Sequence, residues 1–168
     1  MSKSPFNVGD KVVYPGHGGC IIAERTHVTY HGTSTTMLRV APLVATSTTR
    51  LFVPAHNPEK LRPVVSKTEL EKVLQVLTEH KPPRKKQWGR AKENLKDKLL
   101  CRDLSELCAV VASIYSQSGA RSFNDIQFCT QAIPIIASEV ALVLDVNLVK
   151  AQDLVERQLT SHQTKANA

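Results

Sequence analysis

A chain of 168 residues is long enough for one domain of ordinary size, or two small ones, with a real core. Its content, 42% hydrophobic and 22% charged, is that of an ordinary globular protein; no run approaches the ~18 apolar residues of a membrane span, and MSKSPFNVGD lacks the apolar stretch of a secretory signal. The net charge of +7 is concentrated: residues 1–80 carry +3, residues 81–102 carry +7 and residues 103–168 carry −3.

The first ~60 residues read as short strands on alternation and β-propensity. Residues 10–14 (DKVVY) form the first, and the turn formers PGHGG close it. Residues 20–29 form the second, and Tyr30-His31-Gly32 turns the chain into a third at 33–41. Residues 46–53 (TSTTRLFV) form a fourth, ended by Pro54. Such a set predicts a small barrel or strongly bent sheet, with a core small enough to need support from a partner or from the next domain.

Past Pro63 the period changes. Ser66 and Glu69 read as the two ends of a capping box, ahead of Leu70, Val73, Leu74 and Leu77 at helical spacing. That helix stops near His80, because Pro82 and Pro83 cannot continue it. A second helix is predicted over 84–102, with a basic face. Asp103 caps a third over 104–116, with Leu107, Val110, Val111 and Ile114 as its buried stripe. Ser122 caps a long fourth over 123–144, with a possible kink at Pro134, and a fifth spans about 147–159. Residues 160–168 read as a polar, frayed tail.

Chemistry is sparse. Cys20, Cys101, Cys108 and Cys129 make no CxxC, and free buried thiols are the expectation. If residues 101–108 were helical, Cys101 and Cys108 would share a face. His17 lies in a turn, and His27 and His31 fall in strand and turn, where they do not converge on a metal. No base, nucleophile and oxyanion donor assemble, so an enzyme, a metal centre or a cofactor is not expected.

Trp88 is the one tryptophan, set in PPRKKQWGRAK. A ring among cations suits nucleic acid: the cations neutralise phosphates and the ring stacks on a base or wedges into a step. A second reading stands beside it. Trp88, Leu95 and Leu99 fall within one narrow arc of a helical wheel, as core residues do. Likewise, on charge alone, the basic segment fits a polyanion binder and a solvated helix face equally well.

In order along the chain, FNVGDKVVYPGHG (6–18), FVPA (52–55), LEKVLQVL (70–77) and QWGRAKENL (87–95) resemble the CarD/CdnL family of bacterial RNA polymerase-binding transcription regulators. The opening motif is shared with the polymerase-binding module of the transcription-repair coupling factor; the later Trp-basic motif favours the CarD/CdnL type. The resemblance implies an α+β fold: a Tudor-like β-barrel domain at 1–63, an all-α domain of about five helices at 66–160 and a tail at 161–168. It implies that the β domain binds the polymerase β subunit, and that the helical domain touches promoter DNA, in the minor groove and without sequence specificity, at the upstream edge of the bubble. In that family the matching tryptophan is the wedge. Carried over, Trp88 holds that role, with Arg90 and Lys92 on phosphates; Arg84, Lys85, Lys86 and Lys96 join them on charge.

The match has departures. The spacing from Trp88 to Asn94 is one residue shorter than the common pattern, with Arg90-Ala91 in place of an Arg-Arg-Tyr-like stretch. The segment 42–49 is a few residues longer than usual. Phe52 stands where the family often has a basic residue, and Arg50, two residues earlier, lies on the same strand face. Arg50, Phe52, Arg39 and Pro54 are therefore the expected polymerase contacts. The resemblance further implies a protein of the bacterial cytoplasm, bound to the nucleoid through polymerase; a monomer is the expectation because nothing in the chain suggests a coiled coil. The alternative is a protein-interaction adaptor that recruits a partner to its sheet edge, with Trp88 in the core and no DNA role.

Overall fold

The computed structural model describes residues 5–44, 50–79, 94–117 and 120–166, with side chains to Ser161. Its first part is an antiparallel sheet of β1 (Lys11–Tyr14), β2 (Gly18–Tyr30), β3 (Thr33–Pro42), β4 (Leu51–Pro54) and β5 (Arg62–Pro63). The strands lie in the order β4-β3-β2-β1-β5. Of the PGHGG segment, Pro15–His17 form the turn, closed by the His17 amide on the Tyr14 carbonyl at 3.0 Å, while Gly18 and Gly19 already pair with β1, so β2 starts before the expected residue 20. A shift of register between Ile22 and Glu24 marks a bulge, which bends the strand and adds twist. The inward residues Val12, Cys20, Ile22, Leu38, Val40, Val53 and Leu61 form the core of this domain. Beyond the bulge, the β2–β3 ribbon leaves that core: Arg25, His27, Val28, Thr29 and Tyr30 are exposed.

Tyr30 pairs with Thr33, so His31 and Gly32 form a two-residue hairpin loop, with φ of +47° and +77°. Two left-handed residues are what the strand twist requires at such a turn. A Cβ at Gly32 would meet nothing within 4 Å, so only backbone strain opposes a side chain there. Gly32→Ala is expected to cost ~1–2 kcal/mol. A urea melt with a lower midpoint and unchanged slope checks this.

Two strands differ from expectation. β4 starts at Leu51; of the predicted 46–53, residues 45–49 lie outside the described ones. β5 escaped the sequence reading, because two residues carry no periodicity.

The second part is helical: α1 (Lys67–Glu79), α2 (Leu95–Leu99), α3 (Leu104–Ser116), α4 (Phe123–Leu144) and α5 (Leu148–Ala166). The predicted N-cap residues act as caps. Ser66 Oγ accepts from the Glu69 amide at 3.2 Å, one half of the box expected there; Asp103 Oδ1 accepts from Ser105 at 2.9 Å, and Ser122 makes a reciprocal capping box with Asp125. The expected stripes are buried: Leu70, Val73 and Leu77 on α1, and Leu107, Val110, Val111 and Ile114 on α3.

The predicted second helix is shorter. Residues 80–93 lie outside the described ones, and α2 ends at Leu99 instead of reaching Arg102. The Leu100 and Cys101 amides bond three residues back, to Asp97 and Lys98, which tightens and closes the last turn. Cys101 is thus off the helix, and it shares no face with Cys108. At the other end, α5 runs to Ala166, so most of the expected tail is helix. Val155 and Leu159 anchor it in the core, and no Gly or Pro follows to stop propagation.

By length and composition alone, the 22 residues of α4 would suffice to cross a membrane. Here α4 is the central core helix, packed against the other helices and against β2. It supplies Phe128, Ile133, Ile136, Val140 and Val143 to the largest apolar cluster, and Pro134 lies within its unbroken span.

Candidate binding surfaces

Strand β4 is one edge of the sheet. Its register sets Leu51 opposite Val40, Phe52 opposite Arg39, Val53 opposite Leu38 and Pro54 opposite Met37. Alternation therefore buries Val53 and turns Phe52 outward, 42% exposed. Phe52 sits between two shallow depressions. One is apolar, about 450 Å³, lined by Val28, Tyr30, Thr35, Met37 and Phe52. The other is polar and brings Arg39 and Arg50 to Phe52, beside Glu24. Arg39 spends one donor on Glu24 at 3.2 Å, and both side chains remain well exposed. The structure thus brings Arg39, Arg50 and Phe52 onto one face, with Pro54 at its border. The sequence reading missed the contribution of Val28, Tyr30 and Met37. Their signal was a strand of β-formers with apolar residues on an exposed ribbon.

Of the residues expected to meet DNA, Arg84, Lys85, Lys86, Trp88, Arg90 and Lys92 lie outside the described ones. Lys96 is exposed on α2, which packs against α3 and α4. Leu95 and Leu99 hold α2 to the apolar core. In its last turn Lys98 Nζ donates to Glu106 Oε1, and just past the helix the Cys101 thiol donates to Glu106 Oε2 at 3.0 Å. Those bonds, the thiol's first, hold the Glu106 carboxyl below its ordinary range. Burial, then the bond to Glu106, push the Cys101 thiol up. Cys101 is therefore a structural donor and a poor nucleophile.

A third surface was not foreseen: the seam between sheet and helices. Gly18 and Gly19 lie directly on α4, where the Gly19 amide donates to Ser138 Oγ at 2.7 Å. A Cβ on Gly19 would stand 2.7 Å from the Ser138 carbonyl oxygen, so only glycine permits this approach. The Glu139 carboxylate accepts a forked pair from Arg62, Nη1 at 2.7 Å and Nη2 at 2.8 Å, and the Val65 amide at 3.0 Å. Lys11 Nζ reaches the far end of α4, donating to the Leu142 carbonyl at 2.8 Å and to Asp145 at 2.5 Å. A cation there satisfies a terminal carbonyl and complements the helix dipole. The sequence did carry a signal: Glu139 in an apolar run must have a partner.

The Lys11 ammonium holds the Asp145 carboxyl below the ordinary aspartate range. The pair's contribution is therefore present above that range, and is lost as pH falls through the lowered value. A carboxyl-carbon NMR titration is expected to find Asp145 titrating low in the wild-type chain and near its ordinary value in Lys11→Met.

The remaining thiols are inert. Burial pushes Cys20 and Cys129 up to about 11, and Cys108 higher still. His27 Nδ1 bonds Thr36 Oγ1 at 3.1 Å on the exposed ribbon, and His31 is in the hairpin loop. No group of three metal-ligating side chains occurs among the described residues.

Two family models match the chain. The one described as the CarD-like/TRCF RID domain covers residues 6–65, and the one described as the CarD C-terminal domain covers residues 72–156.

Proposed function

Because the chain belongs to the CarD-like family, a family of non-enzymatic, RNA polymerase-interacting transcription regulators, we propose the following division of its surfaces. The β4 edge, with Arg39, Arg50, Phe52 and Pro54, docks on the N-terminal lobe of the polymerase β subunit. Residues 84–96, led by Trp88 and the cations Arg84, Lys85, Lys86, Arg90, Lys92 and Lys96, contact promoter DNA at the upstream edge of the bubble. The protein acts as a monomer in the bacterial cytoplasm, held at the nucleoid by polymerase. It catalyses nothing and needs no cofactor. It favours the melted junction over duplex, and so shifts the closed-to-open equilibrium. Phosphate contacts position it without reading sequence.

The observation that carries the polymerase half is the grouping of Arg39, Arg50 and Phe52 on one exposed face beside a sheet edge. Cations rim an aromatic anchor there, the composition of a binding hot spot. The +7 of residues 81–102 supports the DNA half.

The test is calorimetric binding of the full chain to a purified N-terminal fragment of the β subunit. Phe52→Ala is expected to weaken binding by roughly 30-fold, the ~2 kcal/mol of a hot spot. Arg50→Glu should weaken it further at low salt than at high. A folded wild-type chain that fails to bind, or variants that bind like wild type, would remove this reading in favour of an adaptor with a different partner.

A further inference from the structure

Two targets are engaged at once in the reading above, and the sheet–helix seam decides how they are related in space. Only Val64, Val65 and Ser66 separate β5 from α1, and the Val65 amide is itself bonded to Glu139. Around that short link stand three polar contacts on successive parts of α4: Ser138 on the Gly19 amide, Glu139 on Arg62, and the helix C-terminus on Lys11. They come from three strands: β2, β5 and β1. Three contacts on three strands, spaced along one helix, fix both the tilt and the rotation of that helix against the sheet. The forked Arg62–Glu139 pair is directional, since a guanidinium meets a carboxylate edge to edge in one plane. Apolar packing alone would tolerate sliding.

This seam is a poor device for stability. The Glu139 side chain is 2% exposed and that of Arg62 17%, so both charges are largely desolvated. Arg62 Nε is buried without a hydrogen bond among the described groups. An apolar pair of similar volume would serve stability as well. Orientation is what the polar pair adds. The route onward is short, because α4 packs against α2, and α2 carries Lys96 at the end of the basic segment.

We propose that Lys11, Arg62, Ser138 and Glu139 are positioning residues: they hold the polymerase-facing sheet and the DNA-facing helices in one orientation, and the effect on the open complex runs through that orientation. The inference rests on the polymerase and DNA reading above. Once the sheet is docked, contact with DNA is intramolecular. Its strength is set by the effective concentration of the helical domain at the bubble edge. A fixed seam removes the ordering cost of that second contact, and a loose seam restores it.

The test uses the full chain with Lys11→Met, Arg62→Met and Glu139→Met together, which exchanges the charged contacts for apolar side chains of similar size. Gly19→Ala is the second variant, since its Cβ must lift α4 from the sheet. Thermal melts establish that each variant folds. Residual dipolar couplings then report whether sheet and helices share one alignment tensor. Binding to the β-subunit fragment and to fork-junction DNA are measured separately, and open-complex lifetime with polymerase is measured last. The expected result is one tensor in wild type and two in the triple variant. Each separate affinity should change less than twofold, while open-complex lifetime falls at least ~5-fold. Gly19→Ala should move both readouts in the same direction.

A triple variant that keeps one tensor overturns the inference, because something else then holds the domains. Two tensors with an unchanged lifetime also overturn it, because orientation then does not matter. Failure of the wild-type chain to affect open-complex lifetime sinks the regulator reading and the coupling with it. Two tensors already present in wild type overturn the positioning role alone.

Discussion

Glu139→Ala is expected to destabilise the protein by ~3–5 kcal/mol, the cost of removing one partner from a buried ion pair. The loss of the carboxylate strands the Arg62 guanidinium in a site where 17% of its side chain is exposed, and leaves the Val65 amide without its acceptor. Natural domains have only ~5–15 kcal/mol in hand, so much of this variant should be unfolded well below the wild-type melting temperature. Urea melts followed by circular dichroism check the figure. Arg62→Ala should behave similarly, because it leaves an uncompensated buried carboxylate. The Arg62→Met/Glu139→Met double variant should recover most of the loss, since neither charge is then left alone. A single-variant cost under ~1 kcal/mol would mean that solvent reaches the pair, as it does at surface bridges.

Trp88→Ala is expected to shorten the open-complex lifetime by ~5- to 150-fold, the equivalent of losing a ~1–3 kcal/mol stacking contact. The same variant should keep its unfolding free energy within about 0.5 kcal/mol of wild type, as surface changes do. The two measurements separate the two readings of this residue. If Trp88 filled the helical core, truncation would cost ~3–5 kcal/mol of stability, and every downstream effect would follow from unfolding. Lys96→Ala should have a smaller effect that fades with salt, because a phosphate contact acts through counterion release.

The local elements were largely legible in the chain. The Ser66, Asp103 and Ser122 caps, the α1 and α3 stripes and the His31-Gly32 hairpin all follow from chemistry within a few residues. Where structure and expectation differ, a local rule has a competitor. Basic periodicity predicts a helix as far as Arg102, but Asp103 caps the next helix and the chain must turn before it. The apolar pattern predicts an end at Leu159, although helix propagates through polar residues once anchored. The same division holds for the binding surfaces. Strand alternation puts Arg50 and Phe52 on one face and the third strand offers Arg39, but Val28 and Met37 join them only through the β2–β3–β4 registers. A slip of one residue in either register would have turned those side chains to the opposite face.

Apart from β5, the succession of strands and helices, most of their starting points and the +7 segment follow from the chain alone, because propensity, capping and periodicity act within a few residues. How the two halves meet follows from packing. Ser138 and Glu139 look, in the chain, like interruptions of an apolar run. In the fold they are the groups that bond the sheet, to Gly19 across 119 positions and to Arg62 across 77. No periodicity records such a pairing. It exists because a buried charge and a buried hydroxyl must be satisfied, and only packing brings their partners within reach.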